Sequence, residues 1–282
     1  MDGTILSSRN EIHPKNVETV TRLLQTTNVG FVPATGKSRS GAVKAMAALG
    51  DYLQKQNPDG VPGVYLQGLC VYGADGSLLY ERTLAPEVSR RVVALSKILK
   101  TSLIAYGING ETILCEAEDE ETSKLEMYHE PAPVAVGNWD SVIGPVSIHK
   151  FIFMAPEEQI LSIRPHIEAE LGAISEITRA TPGMLEVLPP GASKGDGVSR
   201  LLKSLSIPPE AVLAVGDGEN DVEMFRLCGM SVAMANAVKS ARAAAKYLTS
   251  SNDDAGVAAA IEHFIFKSAM DTVKMRQEVW LA

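Results

Sequence analysis

Residues 212–221 have the sequence Val212-Leu213-Ala214-Val215-Gly216-Asp217-Gly218-Glu219-Asn220-Asp221, in which an apolar run passes directly into an acidic loop. The apolar run predicts a buried parallel strand, and the carboxyl ends of such strands are where open α/β sheets bind ligands. Clustered carboxylates without His or Cys favour a hard cation such as Mg²⁺, which leaves room for a substrate phosphate. The alternative is an acidic surface turn that caps the next helix.

Three common binding motifs do not fit the chain. A dinucleotide fingerprint requires Gly or Ala at Asp221, and an EF-hand loop requires Gly at Val222. The nearest P-loop candidate, residues 32–38, lacks the glycine that Walker spacing requires at Phe31. The acidic loop therefore remains a candidate magnesium and phosphate site.

Segments at both ends of the chain alternate between short apolar strands and amphipathic helices, which is typical of a parallel α/β sheet. The predicted helices and strands there are helices 14–27 and 38–49, strand 29–34, helices 195–205, 221–227 and 238–246, and strands 211–215 and 231–234. A terminal helix is predicted over residues 266–282.

The middle of the chain has a different pattern. It begins at a hairpin signal, Ala74-Asp75-Gly76, and continues with helices 86–100 and 157–171 among strands 102–106, 111–115, 146–154 and 184–188. We therefore predict an α/β fold: a Rossmann-like parallel-sheet core of residues 1–80 and 189–282, with an inserted α+β domain of residues 81–188.

Two further segments place polar groups near the predicted strand ends. Thr35 and Gly36 follow an apolar run and precede a helix, so a hydroxyl and a backbone N–H are available to a phosphate. A threonine that caps the helix is the alternative. Lys194 opens a helix, where the dipole disfavours a cation unless an anion lies nearby; a surface lysine is the alternative.

Composition excludes several classes of protein. The net charge of −8 makes nucleic acid and anionic membranes poor partners, and no apolar run is long enough to span a bilayer. The three cysteines suggest buried thiols in a reducing compartment, and the five histidines show no metal-ligand spacing, so we assign neither group to the mechanism. A soluble intracellular protein, of the cytoplasm or the plastid, is expected.

The ordered motifs Asp2-Gly3-Thr4, Thr35-Gly36-Lys37, Ser193-Lys194-Gly195 and residues 216–221 resemble those of the haloacid dehalogenase superfamily. Residues 231–237 and 252–258 resemble its Cof-type branch, which inserts a large α/β cap between the second and third motifs. Residues 35–39, 67–69 and 184–195 are similar to the Cof-like domain that some plant plastid proteins carry behind a YbeY-like ribonuclease domain. In this resemblance, residues 81–188 take the place of the cap.

The resemblance implies a role for each matching residue. Asp2 would be the general acid and base and, with Asp217 and Asp221, would form the Mg²⁺ site. Lys194 would steady the nucleophile and the phosphate, and the remaining phosphate contacts would be Thr35, Gly36 and Asn220. Tyr106, Asn109 and Glu111 are further candidates for the cap face that closes over the substrate.

The chain departs from the resemblance at one position. The nucleophilic aspartate of the family would stand two residues before Asp2, but only Met1 precedes Asp2 in this chain. We expect a working enzyme shortened at its N-terminus, which hydrolyses small phosphorylated metabolites such as sugar phosphates through an aspartyl-phosphate. The alternatives are a catalytically inactive phosphate-binding or interaction domain and, less favoured, a phosphomutase.

Overall fold

The structure is a computed structural model that describes residues 1–179 and 181–267 of the chain. No helix in those ranges is long and apolar enough to cross a membrane. The helix predicted over residues 266–282 lies outside the described residues, apart from its first two positions.

The N-terminal part packs helices against a short three-stranded sheet. Helix α1 begins at Pro14, whose missing N–H is not needed at the first helical position, and His13 accepts a hydrogen bond from the N–H of Lys15. The strands pair in the order β1-β2-β3, both pairs antiparallel, with Cys70 directly opposite Glu81. The elements are α1 (Pro14–Thr26), α2 (Arg39–Ala45), α3 (Ala47–Gln56), β1 (Gly63–Tyr65), β2 (Cys70–Tyr72) and β3 (Leu78–Glu81).

The middle segment forms a six-stranded sheet in the order β6-β5-β4-β7-β9-β8. Side chains on one face of this sheet pack against two helices, and those on the other face pack against Tyr65, Leu66 and Leu69 of the N-terminal part. The elements are α4 (Pro86–Leu99), β4 (Ser102–Gly107), β5 (Thr112–Cys115), α5 (Glu120–Ser123), β6 (Val134–Ala135), β7 (Ile148–Met154), α6 (Glu157–Leu171), β8 (Glu176–Thr178) and β9 (Met184–Leu188).

The C-terminal part is a parallel α/β unit in which strands pair in the order β10-β11-β12. It shares one hydrophobic core with the N-terminal part, in which Val20, Leu49, Val64 and Phe225 are buried together. The elements are α7 (Lys194–Ser204), β10 (Leu213–Gly216), α8 (Val222–Leu227), β11 (Met230–Ala233), α9 (Lys239–Ala244), β12 (Tyr247–Leu248) and α10 (Gly256–Ile261).

Most of the predicted elements are present, but two predictions near the N-terminus are wrong. Residues 29–34 do not form a regular strand, because their only ladder contact in the described part of the chain is one parallel bridge between Ala34 and Val64. The helix predicted over residues 38–49 is two helices, since Ala47 turns the chain with φ +46°. The second helix folds back so closely that a Cβ at Gly50 would lie 2.0 Å from the carbonyl oxygen of Val43.

The α/β class and the parallel sheet predicted near the C-terminus are confirmed. The boundaries of the proposed inserted domain, residues 81–188, stay a prediction. All three cysteines are free and buried, as expected.

Candidate active site

The acidic loop after β10 is organised around Asp221, which is 3% exposed. One carboxylate oxygen of Asp221 accepts a hydrogen bond from Lys194 Nζ at 2.7 Å, and the other accepts from the N–H groups of Asp217 and Gly218 at 2.9 Å each. Burial acts to raise the pKa of Asp221, but the ammonium of Lys194 holds that pKa below its usual value. Lys194 is itself buried, so it is not a surface lysine.

Asp217 lies beside this pair and is linked to the N-terminal turn. The Thr4 hydroxyl donates to Asp217 Oδ1, and a Cβ at Gly3 would collide with the Asp217 carboxylate. Burial, together with the charge of Asp221, raises the pKa of Asp217. The Met1 amino group and Lys194 act in the opposite direction but do not offset these effects, so a bound cation would stabilise the Asp217 carboxylate further.

Asp2 is placed by a lysine that the sequence interpretation did not include. Lys37 Nζ lies 3.0 Å from Asp2 Oδ1 and donates to the carbonyl oxygen of Tyr128 at 2.7 Å. Burial acts to raise the pKa of Asp2, but the charge of Lys37 lowers that pKa below its usual value. Asp2 Oδ1 is otherwise buried without a directed hydrogen bond from any described residue.

Thr35 and Gly36 lie at the same edge of the fold. Thr35 is 1% exposed, its N–H donates to Val64 O at 2.8 Å, and its hydroxyl oxygen accepts from the N–H of Lys37 at 3.1 Å. Thr35 is not the helix cap, because the side chain of Ser38 caps α2. The Thr35 hydroxyl proton therefore remains available for a phosphate oxygen.

Asn220 is the first member of a chain of hydrogen bonds that links the acidic loop to the six-stranded sheet. Asn220 Nδ2 donates to Gln67 at 3.0 Å, Gln67 donates to Glu186 at 3.1 Å, and Glu186 accepts from Lys150 Nζ at 3.0 Å. Lys150 Nζ also donates to the Gly36 carbonyl oxygen at 2.8 Å. Gln67 adopts φ +61°, a strained value for a residue other than glycine, and this strain is typical of functional sites.

A cavity of about 50 Å³ lies between the acidic loop and the six-stranded sheet and is partly open to solvent. Tyr106 lines the cavity as anticipated, whereas Glu111 binds the N–H groups of Arg39 and Ser40 at the start of α2. The lining includes all the predicted site residues, namely Asp2, Thr35, Gly36, Lys194, Asp217, Asn220 and Asp221.

The predicted metal ligands converge on this cavity but do not form a compact set. Asp2, Asp217 and Asp221 are not among the described groups of three His, Cys, Asp or Glu side chains whose ligand atoms all lie within 4.8 Å of one another. Both oxygens of Asp221 already accept hydrogen bonds from the protein, whereas the carboxylate of Asp217 has one such donor, Thr4.

A family model for haloacid dehalogenase-like hydrolases matches residues 1–261. The chain belongs to this family. The chain is similar to a haloacid dehalogenase-like hydrolase of known structure from Bacteroides thetaiotaomicron. The two are 27% identical, with a TM-score of 0.80, and the similarity covers 94% of this chain and 97% of that one.

Two curated relatives extend the comparison. The 5-amino-6-(5-phospho-D-ribitylamino)uracil phosphatase YbjI of Escherichia coli is 26% identical over 91% of each chain. The chloroplastic endoribonuclease YBEY of Arabidopsis thaliana is 35% identical over 94% of this chain but only 46% of its own length. The predicted likeness to the Cof-like domain of plant YbeY-fusion proteins is thus confirmed, and this chain spans about half the length of that relative.

Several cavity residues had been missed. Lys150 and Glu186 are single charges within otherwise apolar strands, which was a signal of a buried polar network. Lys37 directly follows Thr35-Gly36 and was visible as part of that motif, but its contact with Asp2 depends on the folded chain. Gln67 joins Asn220 to Glu186 and was visible in the sequence only as part of residues 67–69, which carry the family resemblance.

Proposed function

We propose that this fold hydrolyses small phosphate monoesters with Mg²⁺, through an aspartyl-phosphate intermediate, when an aspartate precedes Met1. The observation that carries the proposal is the buried Lys194–Asp221 pair, which meets Asp2 and Thr35 at one cavity. The name of the Escherichia coli relative, a phosphatase of a small phosphorylated compound, supports the same class of substrate.

The residues present fit a hard cation at the acidic loop. Asp217 is a partly buried carboxylate with a raised pKa, and its surroundings offer oxygen ligands, which Mg²⁺ prefers. Asp217 and the main-chain carbonyl of Asp2 would hold the ion, with Asp221 beside it. When bound, Mg²⁺ supplies positive charge that neutralises the phosphoryl oxygens.

The chain's own side chains account for phosphate binding and proton transfer in this proposal. The Lys194 ammonium, the Thr35 hydroxyl and the Asn220 amide donate to the phosphoryl oxygens. Asp2 protonates the leaving oxygen and later accepts a proton from the attacking water. Lys37, 3.0 Å from Asp2, stabilises the ionised form of Asp2, which is the form that accepts a proton from the attacking water.

The position of Met1 supports a nucleophile immediately before it. Met1 lines the cavity, and its amino group interacts electrostatically with Lys194, Asp2, Asp217 and Asp221. A residue attached to that nitrogen would therefore begin among the same groups, with its side chain near the phosphate site.

The decisive experiment compares three forms of the chain on an aryl phosphate with Mg²⁺: the chain from Met1, the same chain preceded by Asp, and the same chain preceded by Asn. We expect turnover only in the Asp form, by a factor of about 10⁴ or more, since nucleophile removal has effects of that size. The Asn form controls for length. Equal rates in the Asp and Asn forms would refute the covalent mechanism.

The second candidate function is non-catalytic phosphate binding or protein interaction. It is favoured by the relation to the longer Arabidopsis endoribonuclease, of which this chain spans 46%. Under this alternative, the Asp form would bind inorganic phosphate without turning over any phosphate ester. The chloroplastic location in that relative's name supports the plastid among the two expected compartments, which imaging of a fluorescent fusion of the full natural protein would test.

A further inference from the structure

A second group of reactive side chains lies between the β2–β3 hairpin and the six-stranded sheet. It consists of Cys70 on β2, Glu81 on β3 and His149 on β7, with one possible ligand atom of each within 4.8 Å of the others. None of these three residues lines the active-site cavity. The group is therefore separate from the acidic loop.

Strand pairing brings the first two residues together. Cys70 and Glu81 are direct partners in the antiparallel β2–β3 pair, so their side chains lie on the same face of the hairpin. Cys70 is 2% exposed, whereas the Glu81 side chain is 38% exposed. The cluster thus has a buried end and an end open to solvent.

A β-bulge brings the third residue to the same place. On β4, Tyr106 pairs with Lys150 and Gly107 pairs with Ile148, so His149 has no partner across the pair. Ile148 and Phe151 pack toward the helices, while His149 and Lys150 both face the N-terminal part. Bulges commonly redirect a side chain in this way beside functional sites.

The hydrogen bonding of His149 suits a metal ligand. The imidazole is fully buried, with Nδ1 3.4 Å from the carbonyl oxygen of Tyr106 and Nε2 2.8 Å from Glu81 Oε1. Both nitrogens face acceptors, which a protonated imidazole would satisfy at both positions and a neutral one at only one. Metal-binding histidines direct one nitrogen to a backbone carbonyl and the other to the ion, and His149 already has a backbone carbonyl at Nδ1 and an acidic side chain at Nε2.

We propose that Cys70, Glu81 and His149 form a Zn²⁺ site that joins the hairpin to the six-stranded sheet. Thiolate, imidazole and carboxylate together suit Zn²⁺ and not Mg²⁺, and the exposed side of Glu81 leaves room for water as the fourth ligand. Zinc binds the thiolate form of Cys70, so binding releases the thiol proton to solvent.

The site is expected to hold the β2–β3 hairpin against the six-stranded sheet. Its ligands come from both of these elements, and His149 directly precedes Lys150, which contacts the Gly36 carbonyl oxygen beside the phosphate site. Zn²⁺ should therefore raise the unfolding temperature. This expectation does not depend on the proposed phosphatase activity.

The test is a titration of the chelator-treated chain with Co²⁺, a spectroscopic substitute for Zn²⁺. We expect one Co²⁺ per chain with a thiolate-to-cobalt charge-transfer band, displaced by Zn²⁺ and unchanged by excess Mg²⁺. Glu81→Gln and His149→Gln should weaken binding about tenfold or more, and Cys70→Ser should abolish the band. Cys228→Ser, which removes another buried thiol, is the matched control and should keep it.

Any of three results would refute the proposed zinc site. They are the absence of a charge-transfer band in the wild-type chain, an unchanged Co²⁺ affinity in Glu81→Gln, and loss of the band in Cys228→Ser but not in Cys70→Ser. Glu81 is partly exposed, so its variant should fold. That variant decides the question if Cys70→Ser does not fold.

Discussion

Replacement of Asp221 by asparagine tests whether Lys194 is held by a buried ion pair. The substitution keeps the size of the side chain and removes its charge. Lys194 is 4% exposed and would be left without its carboxylate partner. The free energy of unfolding should therefore fall well beyond the effect of a surface change.

The size of the loss follows from the contacts of Asp221. Its two oxygens accept from Lys194 Nζ on one side and from two backbone N–H groups on the other. Asparagine has one acceptor oxygen, so its own N–H₂ group must face a donor at one of these places. Removal of one partner from a buried pair costs about 3–5 kcal/mol.

The measurement is urea unfolding followed by circular dichroism near pH 7. Asp196→Asn is the matched control, because Asp196 pairs with Arg200 in the same helix as Lys194 but both side chains are substantially exposed. The control should lose at most about 1 kcal/mol. Since the folded pKa of Asp221 lies below its usual 3.8, its contribution is fully present above that pH and is lost as the pH falls further.

The stability difference between wild type and Asp221→Asn should therefore narrow in acid below pH 3.8. A loss under about 1 kcal/mol at neutral pH, equal to that of the control, would refute the conclusion that this pair is buried and mutually dependent. A difference that stayed constant down to strongly acidic pH would refute the role of the Asp221 charge.

Lys37→Met should raise the pKa of Asp2, because the ammonium 3.0 Å away is removed; carboxyl carbon NMR measures that pKa directly. Glu186→Gln should weaken the link between the six-stranded sheet and the acidic loop, so amide hydrogen exchange near Gln67 should accelerate, as read by mass spectrometry. Gly68→Ala should lower the free energy of unfolding by about 1–3 kcal/mol, since Gly68 has φ +94° and a Cβ there would lie 2.2 Å from a backbone oxygen.

Each of these variants has a control within the chain. Gly30→Ala should leave the unfolding midpoint unchanged, because a Cβ at Gly30 meets no described atom within 4 Å. Glu120→Gln, at an exposed position on α5, should not alter exchange near Gln67. An unchanged Asp2 pKa in Lys37→Met, while an exposed Lys203→Met shifted it, would contradict the assigned pair.

The convergence of Asp217, Asp221 and Lys194 could be predicted from the sequence, because the carboxyl ends of parallel strands meet at one edge of a sheet. The strand predicted over residues 29–34 is wrong because an apolar run forms a strand only where a neighbouring strand pairs with it. Pairing depends on distant segments, and only Ala34 finds one among the described residues.

Local sequence patterns do not predict which residues join the six-stranded sheet to the N-terminal part. Gln67, Lys150 and Glu186 meet only after the six-stranded sheet packs onto the N-terminal part, so no spacing rule relates them. His149 was set aside because the histidines lack ligand spacing. Its partners, Cys70 and Glu81, lie on other strands and far away in the sequence, so a rule based on short spacing does not detect them.

The bulge at His149 also bears on how the length of this strand could change in related chains. Without His149, Ile148 and Lys150 would simply alternate, and Lys150 would still face the cavity. Deletion of this one residue would therefore remove the histidine and leave the pattern on both sides intact. The strand can therefore gain or lose His149 as a one-residue insertion, while Lys150 keeps its contact with the Gly36 carbonyl oxygen.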